Sequence, residues 1–293
     1  MILVSSPTAW TNADLHCHSC VSDGTLQPEA LAARAKANGV ELWALTDHDE
    51  IGGQKRARDA AFALGLPYLA GTEISVSFAG TTVHIVGLGF DTDNEALVHG
   101  LASTRGGRDA RAREMAAGLA AVGIHGTFEG ALKYAGNPEL IARTHFARYL
   151  VEAGVCHSTN DVFRKFLVEG KPGFVPHRWA ALGDAVRWIT EAGGVAVIAH
   201  PGRYKISVNE EYALFTEFKA HGGRGVEVVT GSHNSADFIK YADMAIEFDL
   251  LASRGSDFHS PEESRIDLGT LPVLPVRLSP VWEALEHRVI LPQ

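Results

Sequence analysis

The chain reads as an α/β protein whose strands close into a distorted or incomplete parallel barrel. Three observations predict this. Short apolar stretches alternate with helical segments in about seven strand–helix units, the alternation that a parallel sheet requires. All but one of the chemistry-bearing residues fall at the ends of those stretches, where a barrel collects its working side chains. Between about Val98 and Ala180 the rhythm stops and the sequence turns mostly helical, without new strand-end ligands.

The first strand, Ala13–Leu15, runs into His16-Cys17-His18. Residues i and i+2 of an extended segment face the same way, so both imidazoles can reach one ion while Cys17 points to the other side as a buried thiol. Thr25–Asn38 follows as a helix, with Pro28 in its first turn, Leu31 and Ala35 on one face and Gly39 as its stop. Leu42–Thr46 is a short buried strand ending in Asp47-His48-Asp49. Gly52–Leu64 is a helix closed by Gly65, and Tyr68–Gly71 is a strand leading to Glu73. Val83–Leu88 begins with His84 instead of ending in a ligand. Its strand therefore runs against the others or reaches the site by a bend. After the interruption come a helix over Gly183–Ala192, a strand Val195–Ala199 into His200, a strand Gly225–Val229 into His233, and a strand Leu250–Ser253 into Asp257 and His259. Asp14, Asp47 and Asp49 have two open readings: partners that orient metal-bound imidazoles, or, for Asp47 and Asp49, caps of the following helix.

The interruption, residues 98–180, is expected to be an insertion between two barrel parts, 1–97 and 181–293. It contains helices over Leu101–Val122, Thr144–Ala153 and Asp161–Glu169. It carries eleven basic and seven acidic residues in a chain of net charge −9, so the rest is the acidic part. A positive cap over a floor rich in acids and histidines suits an anionic substrate held over metals. Thr144 is placed to cap a helix whose free N–H groups receive an anion. Gly170, Pro172 and Gly173 build a tight turn around Lys171. Arg143, Lys171, His177 and Arg178 are the candidate phosphate-binding residues, and Trp179 and Phe174 candidates for stacking on a base.

Composition narrows the class. Hydrophobic content of 46% with 21% charge is that of a globular enzyme. Three cysteines make no disulfide framework, which fits a reducing cytoplasm. No basic n-region with an apolar core opens the chain, and no apolar run is long enough to span a bilayer. The negative net charge argues against nonspecific binding along nucleic acid. Neither a G-x-S-x-G elbow nor a G-x-x-x-x-G-K-[ST] phosphate loop occurs.

The ordered set His16-Cys17-His18 with Ser22-Asp23-Gly24, Thr46-Asp47-His48-Asp49, Gly71-Thr72-Glu73, His84, Ala199-His200-Pro201 and Ser256-Asp257-Phe258-His259 resembles the PHP (polymerase and histidinol phosphatase) family over residues 13–93 and 183–270. With the segment Gly170–Trp179, the chain is most similar to the bacterial 3′,5′-nucleoside bisphosphate phosphatases, relatives of which are 5′-to-3′ exoribonucleases on short RNA. The resemblance implies a distorted (β/α)7 barrel with two or three metal ions. One would be held by His16, His18, Glu73 and Asp257; a second by Glu73, His84 and His200; a third by Asp23, His48 and His259. Glu73, Asp257 and His259 would be the catalytic ligands. Imidazoles and carboxylates without thiolates suit Mn²⁺, Fe²⁺ or Zn²⁺, and the resemblance favours Mn²⁺. The implied activity is removal of the 3′-phosphate from a nucleoside 3′,5′-bisphosphate, by metal-bound hydroxide attacking phosphorus directly. Alternatives are exonuclease action on 5′-phosphorylated RNA, histidinol-phosphate hydrolysis, and a metal-stabilised binding module without catalysis. The expected partners are a nucleotide or short oligoribonucleotides, with no membrane and no stable protein partner.

Overall fold

The computed structural model of the chain describes residues 10–292. The expectation that no leader precedes the first strand falls largely outside them. Seven strands make one sheet in the order β1 (Ala13–Asp14), β2 (Leu42–Leu45), β3 (Tyr68–Phe78), β4 (Thr81–Leu88), β6 (Val195–Ile198), β7 (Gly225–Thr230) and β8 (Leu251–Gly255). The two-residue strand β5 (Ala180–Ala181) pairs on β3. Leu15 N donates to Arg254 O at 3.0 Å and Cys17 bridges Phe258, which brings β1 against β8 and closes the barrel. The path has the seven strands expected, and β4 is the irregular one. It runs antiparallel to both β3 and β6, so its first residues lie at the same end as the carboxyl termini of the parallel strands.

Strand interiors carry the expected period of two. Ala13, Leu15, Leu42, Ala44, Leu69, Val86, Leu88, Val195 and Val197 form one apolar cluster, plugged by Val281, Trp282 and Leu285. Alternate residues such as Ile74, Val76, Ile85 and Ile198 pack outward, against helices α3 (Glu95–Arg105), α8 (Leu182–Glu191), α9 (Val208–Ala220) and α10 (Ser235–Glu247). Helices α1 (Pro28–Ala37) and α2 (Gln54–Ala63) cover β1 and β2. No helix among the described residues is long and apolar enough to cross a membrane.

Several elements differ from expectation. β3 does not stop at Gly71 but runs on to Phe78 and turns through Ala79-Gly80, both at positive φ, into β4. Its polar alternation of Thr72, Glu73, Ser75 and Ser77 concealed the strand. The helix expected over Leu101–Val122 is broken at Gly106-Gly107. Gly107, at φ 83°, separates α3 from α4 (Arg108–Ala120). Leu97 and Leu101 of α3 join the barrel core, while a separate apolar cluster runs from Ala112 through Phe146 to Leu167. That cluster unites α4, α5 (Thr127–Leu132), α6 (Arg143–Glu152) and α7 (Thr159–Val162). The helix expected over Asp161–Glu169 is α7 followed by a π-helical turn, Phe163–Leu167. Thr144 is not a cap: α6 begins at Arg143 with Ala142 before it. The Thr144 hydroxyl instead donates to Asp23 Oδ2 at 3.0 Å.

Candidate metal centre

The ends of six strands and their loops bring nine ligand-type residues into one buried cluster. Glu73, in the body of β3, is its centre. Its two carboxylate oxygens lie within 3.4 Å of nitrogens of five imidazoles, His16, His18, His48, His84 and His200. Asp257 Oδ1 stands 3.3 Å from His18 Nε2 and 3.5 Å from His16 Nε2. Asp23 Oδ1 stands 3.4 Å from His259 Nε2 and 3.9 Å from His48 Nε2. Two glycines make this approach possible. A Cβ on Gly24 would meet His18 O at 2.1 Å, and one on Gly255 would meet His16 Cβ at 2.3 Å. His200 and Asp257 hold positive φ, 26° and 55°, a strained backbone of the kind that functional sites retain.

Ligand atoms gather within 4.8 Å of one another in three groups: His16, His18, Glu73 and Asp257; His18, Asp23, His48 and His259; and His48, Glu73 and His84. The first matches the set expected from the sequence. The second adds His18 to the expected trio. In the third, His48 stands where His200 was expected, although His200 Nε2 remains 2.9 Å from Glu73 Oε1.

The cluster fits cations. His18 Nδ1, Asp23 Oδ1, His48 Nδ1, His84 Nδ1, His200 Nδ1 and Asp257 Oδ1 are buried without a hydrogen-bond partner. Buried polar atoms are normally paired, and here close approach without hydrogen-bond alignment leaves lone pairs facing one another. Burial alone would raise the Glu73 carboxyl, but the imidazoles of His84, His48 and His16 outweigh it and hold it well below the usual range. Asp257 is likewise held low, against burial, by His16 and Arg203. Asp23 is held low by His259 and His48. The carboxylates are therefore anionic, and nitrogen and oxygen donors of this kind suit divalent cations.

A second layer holds the imidazoles and their loops. His16 Nδ1 donates to Glu227 Oε1 at 2.8 Å, and Glu227 Oε2 accepts His200 N at 2.7 Å. The three aspartates left open in the sequence follow neither reading. Asp47 accepts from Ser19 N, Ser19 Oγ and Ser22 Oγ and so clasps the loop that carries Asp23. Asp49 accepts from Ser75 N and Oγ and pairs with Arg108. Asp14 accepts from Ser256 N and Gly269 N. His233 is no ligand either; it accepts from Gly202 N at 3.0 Å and steadies the turn after His200.

Above the cluster lies a cavity of about 140 Å³, lined by Asp23, His48, His84 and His259 below and by Arg108, Arg111, Arg143, Trp179 and Arg203 around it. Arg143 was foreseen as a phosphate contact and Thr144 as part of the site; both line it. His177 and Arg178 line an adjoining outer cavity of about 370 Å³ instead, with Phe174 and Trp179. Lys171 is exposed and lines neither cavity. Arg108, Arg111, Arg203 and Glu227 were missed. Arg108 packs over the Trp179 ring at 4.6 Å, and Arg203 Nη1 donates to Asp257 Oδ2 at 2.6 Å. Burial and the neighbouring Arg143 and Arg108 push Arg111 down to about 10. Burial and Arg203 also lower Arg143. Arg111 and Arg143 lie over the Trp179 and Phe163 rings, each hydrogen-bonds a backbone carbonyl, of Val175 and Leu167, and neither has a carboxylate partner among the described residues. Crowded, desolvated guanidinium groups of this kind suit an anion.

The profile of the PHP domain matches residues 14–150, and the chain belongs to the PHP family, as a phosphoesterase. A 3′,5′-nucleoside bisphosphate phosphatase of Chromobacterium violaceum is 51% identical over 281 residues, covering 96% of this chain and 99% of that protein. A 5′-3′ exoribonuclease of Haemophilus influenzae is 40% identical over 92% of this chain and 97% of its own. A solved Chromobacterium violaceum structure, described as an amidohydrolase with bound sulfate and no metal, superposes with a TM-score of 0.93. It is 50% identical and covers 96% of this chain and 98% of that one.

Proposed function

We propose that the chain is a metal-dependent phosphatase that removes the 3′-phosphate from nucleoside 3′,5′-bisphosphates. The observation that carries it is the facing of two unsatisfied charge clusters across one small cavity: carboxylates and imidazoles below, Arg111 and Arg143 beside them. A bisphosphate meets both at once. The similarity to the bisphosphate phosphatase supports the same reading.

In this reading His16, His18, Asp23, His48, Glu73, His84, His200, Asp257 and His259 hold two or three ions, Mn²⁺ first, with Fe²⁺ or Zn²⁺ also suited to the donors. Bound ions supply Lewis acidity, bringing a water toward neutral pKa and neutralising charge on phosphorus. The residues do the rest. Glu227 fixes the His16 tautomer, so its Nε2 lone pair faces the cluster. The Asp257 backbone carbonyl accepts from His259 Nδ1 at 2.9 Å and turns Nε2 toward Asp23. Arg203, held by Asp257 at the cavity rim, donates to an oxygen of the reacting phosphate. Arg111 and Arg143 bind the second phosphate, with Arg178 further out, and Trp179 offers its ring to the nucleoside. Three free thiols fit a cytoplasmic setting.

The test is one panel: phosphate release from adenosine 3′,5′-bisphosphate, adenosine 3′-monophosphate and adenosine 5′-monophosphate, with metal content measured alongside. The proposal expects the bisphosphate to be turned over best and the 5′-monophosphate least. Equal rates on both monophosphates would refute it.

A further inference from the structure

Two irregular features of the sheet meet at one point. β4 runs antiparallel to β6 with Ile85 opposite Ile198, so His84 stands opposite Ala199, and His200 lies one residue beyond. Directly opposed residues of an antiparallel pair share a face of the sheet, and the next residue turns to the other face. A regular ladder would therefore put His84 and His200 on opposite faces. Instead their ring centroids lie 5.3 Å apart, and His84 Nδ1 and His200 Nε2 each stand 2.9 Å from Glu73 Oε1. The chain achieves this by leaving the ladder at His200, whose φ of 26° opens the turn Pro201–Arg203.

A backbone strained in this way persists only where its surroundings hold it. Three side chains do so. Glu227 accepts from His200 N and His233 from Gly202 N. The third is Tyr204, which follows the turn and folds back on the end of β6. Its hydroxyl donates to Ala199 O at 2.8 Å and accepts from His84 N at 2.9 Å, while Ala199 N donates directly to His84 O at 3.1 Å. An opposed pair in this register would exchange two backbone bonds. Here one is direct and the other passes through the phenol oxygen, which is inserted into the last rung. The Tyr204 ring also stands edge-on to His200 at 5.6 Å. Of the three, Tyr204 alone grips both strands.

We propose that Tyr204 is a positioning residue of the metal centre: its hydroxyl holds the last β4–β6 rung open and so sets the spacing at which His84 and His200 face Glu73. The inference rests on the proposed holding of one ion by these three residues. Among the described residues the hydroxyl makes no hydrogen bond with His16, His18, Asp23, Asp257 or His259, so the other ligand groups have their own supports. A tie of purely structural value would cost stability and leave the affinities of the centre as they are.

The experiment compares wild type, Tyr204→Phe and Tyr241→Phe. Mn²⁺ is titrated against a chelator, and the visible spectrum of each Co²⁺-loaded protein reports ligand geometry. Tyr241 donates from another buried phenol, to Glu211 Oε1 at 2.7 Å, and controls for the loss of one such bond. Tyr204→Phe is expected to bind one ion about ten- to hundredfold more weakly, to leave the others nearly unchanged, and to shift the Co²⁺ spectrum. Tyr241→Phe should alter neither titration nor spectrum. Wild-type affinities and spectrum in Tyr204→Phe overturn the proposal, as does equal weakening of every ion or the same weakening in Tyr241→Phe. A wild type that binds Mn²⁺ but does not hydrolyse adenosine 3′,5′-bisphosphate overturns the proposed function, and the titration still decides the role of Tyr204. A wild type that binds no divalent metal overturns both.

Discussion

The barrel floor and the cap wall solve opposite electrostatic problems within one cavity. On the floor, carboxylates and imidazoles interleave so closely that Glu73 touches five rings, yet six buried polar atoms lack a partner. On the wall, Arg111 and Arg143 crowd like charges together against backbone carbonyls. Each region is satisfied only by something of the sign it lacks. The floor suits cations and the wall an anion, and the proposed bisphosphate would meet both.

The sharpest way to break this contrast is on the floor. Glu73→Ala is expected to lower activity more than the roughly ten- to hundredfold typical of losing an outer partner, and to reduce metal content with it. His99→Ala, exposed and outside the cluster, should do neither. Elemental analysis beside a phosphate-release assay checks both. Glu227→Gln keeps the shape but removes the charge that fixes His16, and is expected to weaken metal binding about ten- to hundredfold in a chelator titration. On the wall, Arg111→Ala should cost about ten- to hundredfold in kcat/KM on a bisphosphate and little on a 3′-monophosphate, with metal content unchanged. Arg178→Ala, exposed on the outer cavity, should cost only a fewfold at low salt and less at high salt. If Arg111→Ala lost metal, floor and wall would not be separate devices.

The smallest expected effect lies at their junction. Burial pushes His145 in α6 down to about 4 from an ordinary 6.5. The unfolded chain therefore binds this proton first, and the folded state loses stability as pH falls from about 6.5 to about 4. His145→Gln keeps an acceptor for Ala142 N, whose bond His145 Nδ1 receives at 3.0 Å. Denaturant unfolding across that range should be shallower in the variant, by up to about 1.4 kcal/mol per pH unit.

The floor was legible in the sequence because its ligands sit at fixed places on extended chain. His16 and His18 share a face by the period of two, and the early position of His84 in its run left a reversed or a bent strand, of which the structure has the reversed one. Glu227 could have been found, since a lone acid between Val226 and Val228 must be buried with a partner. The wall was less legible because helix packing builds it. No periodicity distinguishes Arg108 and Arg111 from solvated helix charges, and only the break at Gly106-Gly107 begins the helix that sets them on the cavity wall, while Lys171 stands in a tight turn that lines neither cavity. Arg203, three residues after His200, was overlooked because no periodicity marks a loop.

One consequence of the antiparallel β4 concerns modularity. Of the nine cluster residues, six precede or open β4 and three follow β6, so residues 85–199 contribute none of them. The cap is thus spliced into a gap in the catalytic text. Recombination, or a designer, can exchange this segment without touching a cluster residue, provided that its seams are sewn back, among them Arg108 to Asp49, Thr144 to Asp23, Arg148 to Glu263 and Trp179 to Ser77 and Thr82.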